Sequence, residues 1–219
     1  MLAEFKNQPL EKKRVMEQKV YSLRYKDMVG MDGGTTLGLT FGSLSKTLRA
    51  LVSDLSSYSA VTLGMGDALA PAMLLAMGAN SVGGVELNGF DGHLTAQLHA
   101  ERMILATGRG YDTEVRRNLY WGTDILTVPR LGNIVSVPPR QGSIAAYSFD
   151  DSIPEDARRH WYTLLADCPS VARVATCYNA RIDLEDALPG FVEVDRFRIT
   201  MEGGKCSRTM LLLRRSPRD

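Results

Sequence analysis

Two glycines and two carboxylates have the types and spacing to hold a nucleotide-type ligand. Gly64 and Gly66 follow an apolar run, and Asp67 comes directly after them. Glu86 closes a second apolar run, 22 residues after Gly64. A glycine loop lets the backbone approach a ligand closely, and an acid at this spacing can accept hydrogen bonds from both ribose hydroxyls. The pattern predicts a site for a cofactor that contains a ribose.

The charge beside the glycine loop discriminates between cofactors. A dinucleotide fingerprint requires a third glycine at position 69, where this chain has Leu69. It also places a pyrophosphate on the N-terminus of the next helix, where the helix dipole attracts anions. Asp67 would repel a pyrophosphate, but it is compatible with S-adenosylmethionine, which carries a sulfonium cation and no phosphate. A helix cap at Asp67 and a solvated strand end at Glu86 are the alternative interpretations.

Apolar runs and helical periodicities alternate along most of the chain. Helices are predicted from Ser43, the expected N-cap, to about residue 55, and at 67–77, 94–106 and 154–165. Strands are predicted at residues 59–63, 81–87, 112–120, 144–149 and 171–178. This regular alternation indicates parallel strands joined by crossover helices.

The last part of the chain departs from this alternation. Two β-rich runs flank a Gly-Gly turn and predict a hairpin: GFVEVDRFRIT, from Gly190 to Thr200, and SRTMLLLRR beyond it. The predicted fold is α/β, with a Rossmann-like seven-stranded, mostly parallel sheet, a C-terminal antiparallel hairpin and helices on both faces. Class I S-adenosylmethionine-dependent methyltransferases look like this, whereas a plain NAD domain usually ends with another parallel strand.

The N-terminal segment is set apart from this pattern. Leu10, Val15, Val20 and Leu23 lie in a charged background, as on a partly buried helix, and a Gly-rich break follows at 30–36. We therefore expect a helical extension or lid over residues 1–35 and a single domain over 36–219. The sequence does not decide whether the extension is a lid, a brace or an interaction arm.

Composition narrows the class of protein. The 219 residues carry a net charge of +1, so no overall field attracts nucleic acid or an anionic membrane, although basic residues cluster locally and direct contact with nucleic acid stays open. Three unpaired-looking cysteines predict a reduced, intracellular protein, and no apolar stretch is long enough to span a bilayer. The histidines lack metal-ligand spacing, so no metal is expected. The oligomeric state stays open.

The order of motifs resembles one family of methyltransferases. The stretches are FGSLSKTL, VTLGMGDALAPAMLLA, GGVELN, GTDIL and AAYSFDDSIPED, followed by the hairpin. Over residues 36 to 215 they are similar to the non-SET histone lysine methyltransferases of the disruptor-of-telomeric-silencing family. The resemblance implies S-adenosylmethionine as cofactor, Asp124 on the adenine amine and Ile125 or Leu126 over the adenine face. Together with Asp67, the cofactor contacts would be Phe41, Leu63, Gly64, Gly66, Glu86, Asp124 and Ile125.

The acceptor is expected beyond the fourth predicted strand, at YSFDDSIP. Tyr147 and Phe149 point the same way along a strand and could wall an apolar channel that lowers the pKa of a lysine. Asp150 or Asp151 could steer that lysine or take its proton. Ordinary core packing of the aromatics and helix capping by the aspartates are the alternatives. The resemblance implies a lysine of a core histone on the nucleosome, and hence a nuclear protein; with another acceptor, a cytoplasmic protein is expected.

Two further functions stay open at the level of sequence. An RNA or small-molecule methyltransferase would keep the cofactor and change the acceptor. A non-catalytic binding or scaffold module is the other, because Thr62 replaces the family's aspartate before the glycine loop and Ala68 replaces its third glycine. At the positions of the family's two asparagines this chain has Ser148 and Phe149.

Overall fold

The computed structural model describes residues 10–27, 39–66, 68–87, 93–110, 113–136, 143–149, 153–178, 183–201 and 207–217. Within these ranges the helices are α1 (Leu10–Asp27), α2 (Phe41–Val52), α3 (Leu69–Ala76), α4 (His93–Ala106), α5 (Thr113–Arg117), α6 (Glu155–Asp167) and α7 (Leu184–Ala187). The strands are β1 (Tyr58–Leu63), β2 (Val82–Glu86), β3 (Leu119–Trp121), β4 (Ser143–Ser148), β5 (Val171–Cys177), β6 (Phe191–Thr200) and β7 (Ser207–Arg215). Short 3₁₀ turns cover Ile125–Thr127 and Leu131–Asn133.

The strands form one sheet in the order β3-β2-β1-β4-β5-β7-β6. The pairs from β3 to β5 are parallel, and β7 is antiparallel to both β5 and β6. Strand order therefore reverses between β1 and β4, which is the crevice where open α/β sheets bind ligands. The predicted fold class is confirmed, including the terminal hairpin.

Each face of the sheet is covered by its own core. Side chains alternate along β1, so Ala60 packs into a cluster with α2, α3 and α4, whereas Val61 and Leu63 pack into a second cluster with α6 and the 3₁₀ turns. All six residues of β1 are buried. An apolar run without alternation is what a parallel strand buried on both faces requires.

Adjacent glycines in β2 let other parts of the chain approach the sheet closely. A Cβ atom at Gly83 would lie 2.1 Å from the backbone oxygen of Ile134, and one at Gly84 would lie 2.6 Å from Met65 Sδ and from Thr62 Oγ1. Real Cβ atoms do not come so near, so Gly83 is required for the 3₁₀ segment to pack on the sheet. Gly84 likewise makes room for Met65, which stands between the two loop glycines.

The N-terminal helix packs on the domain through a buried ion pair. Both carboxylate oxygens of Glu17, which is 0% exposed, accept from Arg49 Nη2 at 2.8 and 2.9 Å. Ser45 Oγ donates to the same carboxylate at 3.0 Å. Along the helix Val20 is buried and Val15 is 61% exposed, so the expected apolar stripe is wrong at Val15. The charged Glu17 side chain can face the core because Arg49 and Ser45 of α2 bond to its carboxylate.

Two local predictions are wrong. Where a strand is predicted at 112–120, the described residues form a single helical turn, α5 (Thr113–Arg117), and then the three-residue edge strand β3. This edge strand pairs only with the last three residues of β2, so it does not require a longer run of strand-forming residues. The cap of α2 is Thr40, whose side chain accepts from the Ser43 N–H, whereas Ser43 Oγ accepts from the Thr200 N–H at 2.8 Å.

Arg215, at the end of β7, holds the far side of the sheet together. Its guanidinium donates to the backbone oxygens of Leu165, Ala166 and Cys168, and its Nε donates to Val171 O at 2.7 Å. The carbonyls at the C-terminal end of a helix have no partner within the helix. Arg215 satisfies them after α6 and also covers the Phe191 ring at 4.4 Å.

Neither a membrane span nor a metal cluster occurs in the part of the chain that the structure describes. No helix there is long and apolar enough to cross a bilayer. No group of three histidine, cysteine, aspartate or glutamate side chains there is arranged to hold a metal ion.

We expect Gly83→Ala to destabilise the fold. The new methyl group would collide with the Ile134 carbonyl, which is backbone and cannot rotate away, so the free energy of unfolding should fall by about 1–3 kcal/mol. Gly42→Ala is the matched control, because nothing lies within 4 Å of a Cβ there and its helical position favours alanine. Urea denaturation of both variants measures the difference, and equal stability would show that the 3₁₀ segment yields freely.

Tyr58 predicts a loss of stability at alkaline pH. Burial raises the pKa of its hydroxyl, with a smaller contribution from the negative charge of Glu17. Because the folded state keeps the proton, this group stabilises the fold below the unfolded pKa, and that stability is lost above about pH 10 at roughly 1.4 kcal/mol per pH unit.

Tyr58→Phe should remove its share of that alkaline slope. The hydroxyl has no hydrogen-bond partner among the described residues, so the variant should be no less stable at pH 7. Tyr120→Phe is the control for stability at pH 7: its hydroxyl donates to Asn133 O at 2.6 Å, so it should lose about 0.5–1.5 kcal/mol. Unfolding curves at pH 7 and from pH 9 to 12 test this, and an unchanged slope in Tyr58→Phe would contradict it.

Candidate ligand-binding site

The glycine loop begins where β1 ends and turns sharply into α3. Gly64 and Gly66 have φ angles of 68° and 55°, in the left-handed region that glycine enters without strain. A Cβ at Gly64 would also lie 3.2 Å from the backbone oxygen of Phe149, so this glycine lets the loop approach the end of β4. The loop therefore lies at the reversal of strand order.

Ala68 keeps the loop in a glycine-like shape. It precedes α3 with φ 64° and ψ 27°, and among the described residues it is the one non-glycine with positive φ. This conformation costs an alanine about 1–2 kcal/mol, and the buried position supplies the packing that offsets it. Replacement of the third glycine of the motif therefore leaves the backbone path intact.

Glu86 connects the glycine loop to the loop after β3. Its side-chain Oε2 accepts from the Gly66 N–H at 2.6 Å. Its backbone oxygen accepts from the N–H groups of Gly122 at 2.8 Å and Thr123 at 3.4 Å. A single residue at the carboxyl end of β2 thus positions both loops that flank it.

Trp121 completes this arrangement, and the sequence patterns do not assign it. Its Nε1–H donates to the backbone oxygen of Gly66 at 3.0 Å, so both polar groups of the Gly66 backbone are held by side chains. The only sequence signal for it is position: Trp121 ends β3 at the same edge of the sheet where Glu86 ends β2. In parallel neighbouring strands, such residues meet.

The remaining predicted cofactor contacts have mixed placements. Asp124 is exposed, and its Oδ1 accepts from the Leu126 N–H at 3.0 Å, which is the turn-capping interpretation. Leu63 and Ile125 bury their side chains in the second core cluster, whereas Leu126 is 47% exposed. Asp67 lies outside the described residues. The structure therefore brings together Gly64, Gly66, Glu86 and the turn that contains Asp124.

Phe41 lies on the N-terminal turn of α2. Its ring packs edge-on against Tyr21 of α1, with centroids 5.1 Å apart. The preceding Thr40 N–H donates to Thr200 O at 3.0 Å, so this turn is joined to the end of β6. A cofactor contact from Phe41 stays a prediction.

The predicted acceptor residues that the structure describes lie in or against the core. Tyr147 is 3% exposed and lies in the first core cluster, and Phe149 is half-buried against the same cluster. The Ser148 hydroxyl is buried and has no hydrogen-bond partner among the described residues. Asp150 and Asp151 lie outside the described residues. Their roles in catalysis stay predictions.

A cavity of about 550 Å³ opens at the opposite edge of the parallel strands. It is lined in part by Asp54, Arg173 and Arg215. Arg173 forms an ion pair with Asp54, and Arg215 donates to backbone carbonyls, so these charges hold the sheet together. The glycine loop does not line this cavity.

Comparison with known proteins supports the fold. No family model matches the sequence, and no curated protein matches it either. Solved structures do. TrmN from Thermus thermophilus matches with a TM-score of 0.51 at 16% identity over 78% of this chain, which spans 48% of TrmN.

Two further structures match over almost their whole length. One, from Pyrococcus horikoshii, is provisionally assigned as an RNA methyltransferase; its TM-score is 0.55 at 13% identity, covering 92% of this chain and 96% of that chain. The other is the N-methyltransferase NodS from Bradyrhizobium japonicum in complex with S-adenosyl-L-homocysteine. It has a TM-score of 0.55 at 10% identity, covering 92% and 99%. At these identities the likeness establishes shared architecture: this chain has the Rossmann-like fold of these methyltransferases.

Proposed function

We propose that the chain is an S-adenosylmethionine-dependent methyltransferase whose acceptor is an RNA nitrogen. The observation that carries the proposal is the Glu86–Gly66 contact at the reversal of strand order. A carboxylate and a left-handed glycine loop meet there, which is a combination that fits the ribose of an adenosyl cofactor.

The residues present fit this cofactor. A carboxylate offers about four acceptor positions, so the type of side chain at Glu86 suits both the bond from Gly66 and bonds from ribose hydroxyls. The backbone of the loop that follows β1 is in the left-handed conformation at Gly64 and again at Ala68. Thr62, which replaces an aspartate of the resembling family, is buried and donates to Gly83 O at 3.4 Å, so it leaves no buried charge without a partner.

Position and charge are what this chain would contribute to the reaction. S-adenosylmethionine would supply the methyl group: the lone pair of the acceptor nitrogen would form the new C–N bond as the C–S bond breaks, with S-adenosyl-L-homocysteine as the leaving group. Glu86 would hold the ribose, and its negative charge favours a cationic donor. The tethers to Gly66, Gly122 and Thr123 fix the loops in advance, which lowers the entropic cost of alignment.

The acceptor proposal departs from the histone lysine suggested by the motif order. A lysine has to lose its proton before methyl transfer, which an apolar channel promotes. Tyr147, the residue expected to wall that channel, is 3% exposed and lies in the core. The similar structure from Pyrococcus horikoshii, provisionally assigned as an RNA methyltransferase, and the basic residues on the hairpin support RNA instead.

Cofactor binding is tested by calorimetry with S-adenosylmethionine and S-adenosyl-L-homocysteine. Glu86→Gln keeps an acceptor for Gly66 but loses the charge, so affinity should fall at least about tenfold. Glu185→Gln, an exposed carboxylate on α7, is the matched control and should bind normally. Because Trp121 contacts the glycine loop and the chain has only two tryptophans, binding should also change a fluorescence signal that survives Trp161→Phe.

The outcomes separate the candidate functions. No heat and no fluorescence change at millimolar ligand would leave the non-catalytic interpretation. With binding established, transfer of a radiolabelled methyl group to total RNA, nucleosomes, free histones and small amines identifies the acceptor. Label in histones alone would overturn the RNA proposal and restore the histone one.

A further inference from the structure

The strongest unassigned surface is an aromatic side chain flanked by arginines at the end of β5. Tyr178 directly follows β5 and is 46% exposed. The Arg196 guanidinium lies over its ring, 5.0 Å from the centroid. Part of this ring is therefore accessible to a ligand, next to a positive charge.

Strand register places a second arginine on the same face. Thr176, Leu211 and Arg196 are aligned across β5, β7 and β6. Two residues further along, Arg198 is paired with Thr209, whose backbone oxygen accepts from the Tyr178 N–H at 2.8 Å. Since side chains on one face recur every second residue, Tyr178, Arg196 and Arg198 share a face.

This row lies toward the same carboxyl edge of the sheet as the expected acceptor position, on the opposite face from Tyr147. Tyr147 of β4 is in register with Ala175 of β5, and the two strands run in parallel. Tyr178 stands three residues beyond Ala175, so it lies about 10 Å further toward the carboxyl edge of the sheet, beyond the end of β4. From there the row extends about 10 Å across β7 to β6, at the usual strand spacing.

The charge of this face is positive. Arg196 is paired with Glu193, through bonds of 2.6 and 2.8 Å. Arg198 is exposed and forms no ion pair with any residue that the structure describes. Asp195 is in register with Leu212, whose side chain packs into the core on the other side of the sheet, so its carboxylate is directed away. Two guanidinium groups thus face one carboxylate.

We propose that Tyr178, Arg196 and Arg198 bind single-stranded RNA and lead it to the acceptor end of the sheet. The proposal rests on the proposed function and specifies its substrate as unpaired RNA. Aromatic rings stack on bases of any sequence, and arginines contact the phosphates, which together form the usual surface for single strands. A lysine-rich histone tail would instead meet two like charges here.

The test is fluorescence anisotropy with a labelled 12-nucleotide single-stranded RNA of mixed sequence. Tyr178→Ala should weaken binding at least about fivefold, because one base loses its stacking partner. Tyr178→Phe keeps the ring and should bind like the wild type, which a purely structural role of the hydroxyl would not allow. Arg198→Ala should weaken binding and reduce the slope of log affinity against log salt by about 0.7.

The control for lost charge is Arg14→Ala, an exposed arginine on α1, which packs on the opposite face of the sheet. It should leave both affinity and salt slope unchanged. Melting curves and S-adenosyl-L-homocysteine affinity, measured for each variant, establish that the fold and the cofactor site are intact.

Two results would overturn this inference alone. One is RNA affinity that neither Tyr178→Ala nor Arg198→Ala changes, while S-adenosyl-L-homocysteine still binds. The other is Tyr178-dependent binding of a histone-tail peptide in preference to RNA, which would assign the surface to a protein. Failure of the wild type to bind S-adenosyl-L-homocysteine would instead overturn the proposed function itself.

Discussion

The hydrogen bond from the Gly66 N–H to the Glu86 carboxylate is the contact on which the arrangement of the site depends. It joins the loop after β1 to the end of β2, while the Glu86 backbone oxygen holds the loop after β3. Glu86 thus connects the carboxyl ends of three neighbouring strands, β1, β2 and β3. A charge-assisted bond to a backbone N–H is stronger than a neutral one, so the loops are held before any ligand arrives.

The positions of these loops depend in turn on two residues of β2 that have no side chain, Gly83 and Gly84. Gly84 leaves space for Met65, which fills the interior under the glycine loop, and Gly83 lets the segment around Ile134 pack on the sheet. The N-terminal helix adds a second support, because its buried Glu17 carboxylate is held by Arg49 of α2. The positions of the binding residues therefore depend on how the core residues pack.

The sheet could be predicted from sequence wherever burial dictates residue type. β1, β4 and β5 are buried on both faces, so their apolar runs are unambiguous, and the Gly-Gly turn marks the hairpin. Prediction failed at β3, because an edge strand of three residues leaves almost no pattern, and at Ser43, because Thr40 caps equally well.

The candidate site could be predicted only in its backbone-determined parts. Gly64, Gly66 and Glu86 follow from strand ends and spacing. Trp121 requires knowledge of which strands are neighbours, and the left-handed Ala68 defies residue preference because the surrounding core imposes that conformation. Tyr147 is buried because of the helices that cover β4. The local periodicity of the sequence carries no information about which helices those are.

The position of β7 has a consequence for biosynthesis. β7 is inserted between β5 and β6, and its last residue, Arg215, supplies the partners for the carbonyls at the end of α6. A nascent chain that has not yet emerged beyond residue 207 therefore exposes β5 as an unpaired apolar edge, which invites association with other chains. We expect chaperones to bind such a ribosome-bound intermediate until β7 has paired with β5.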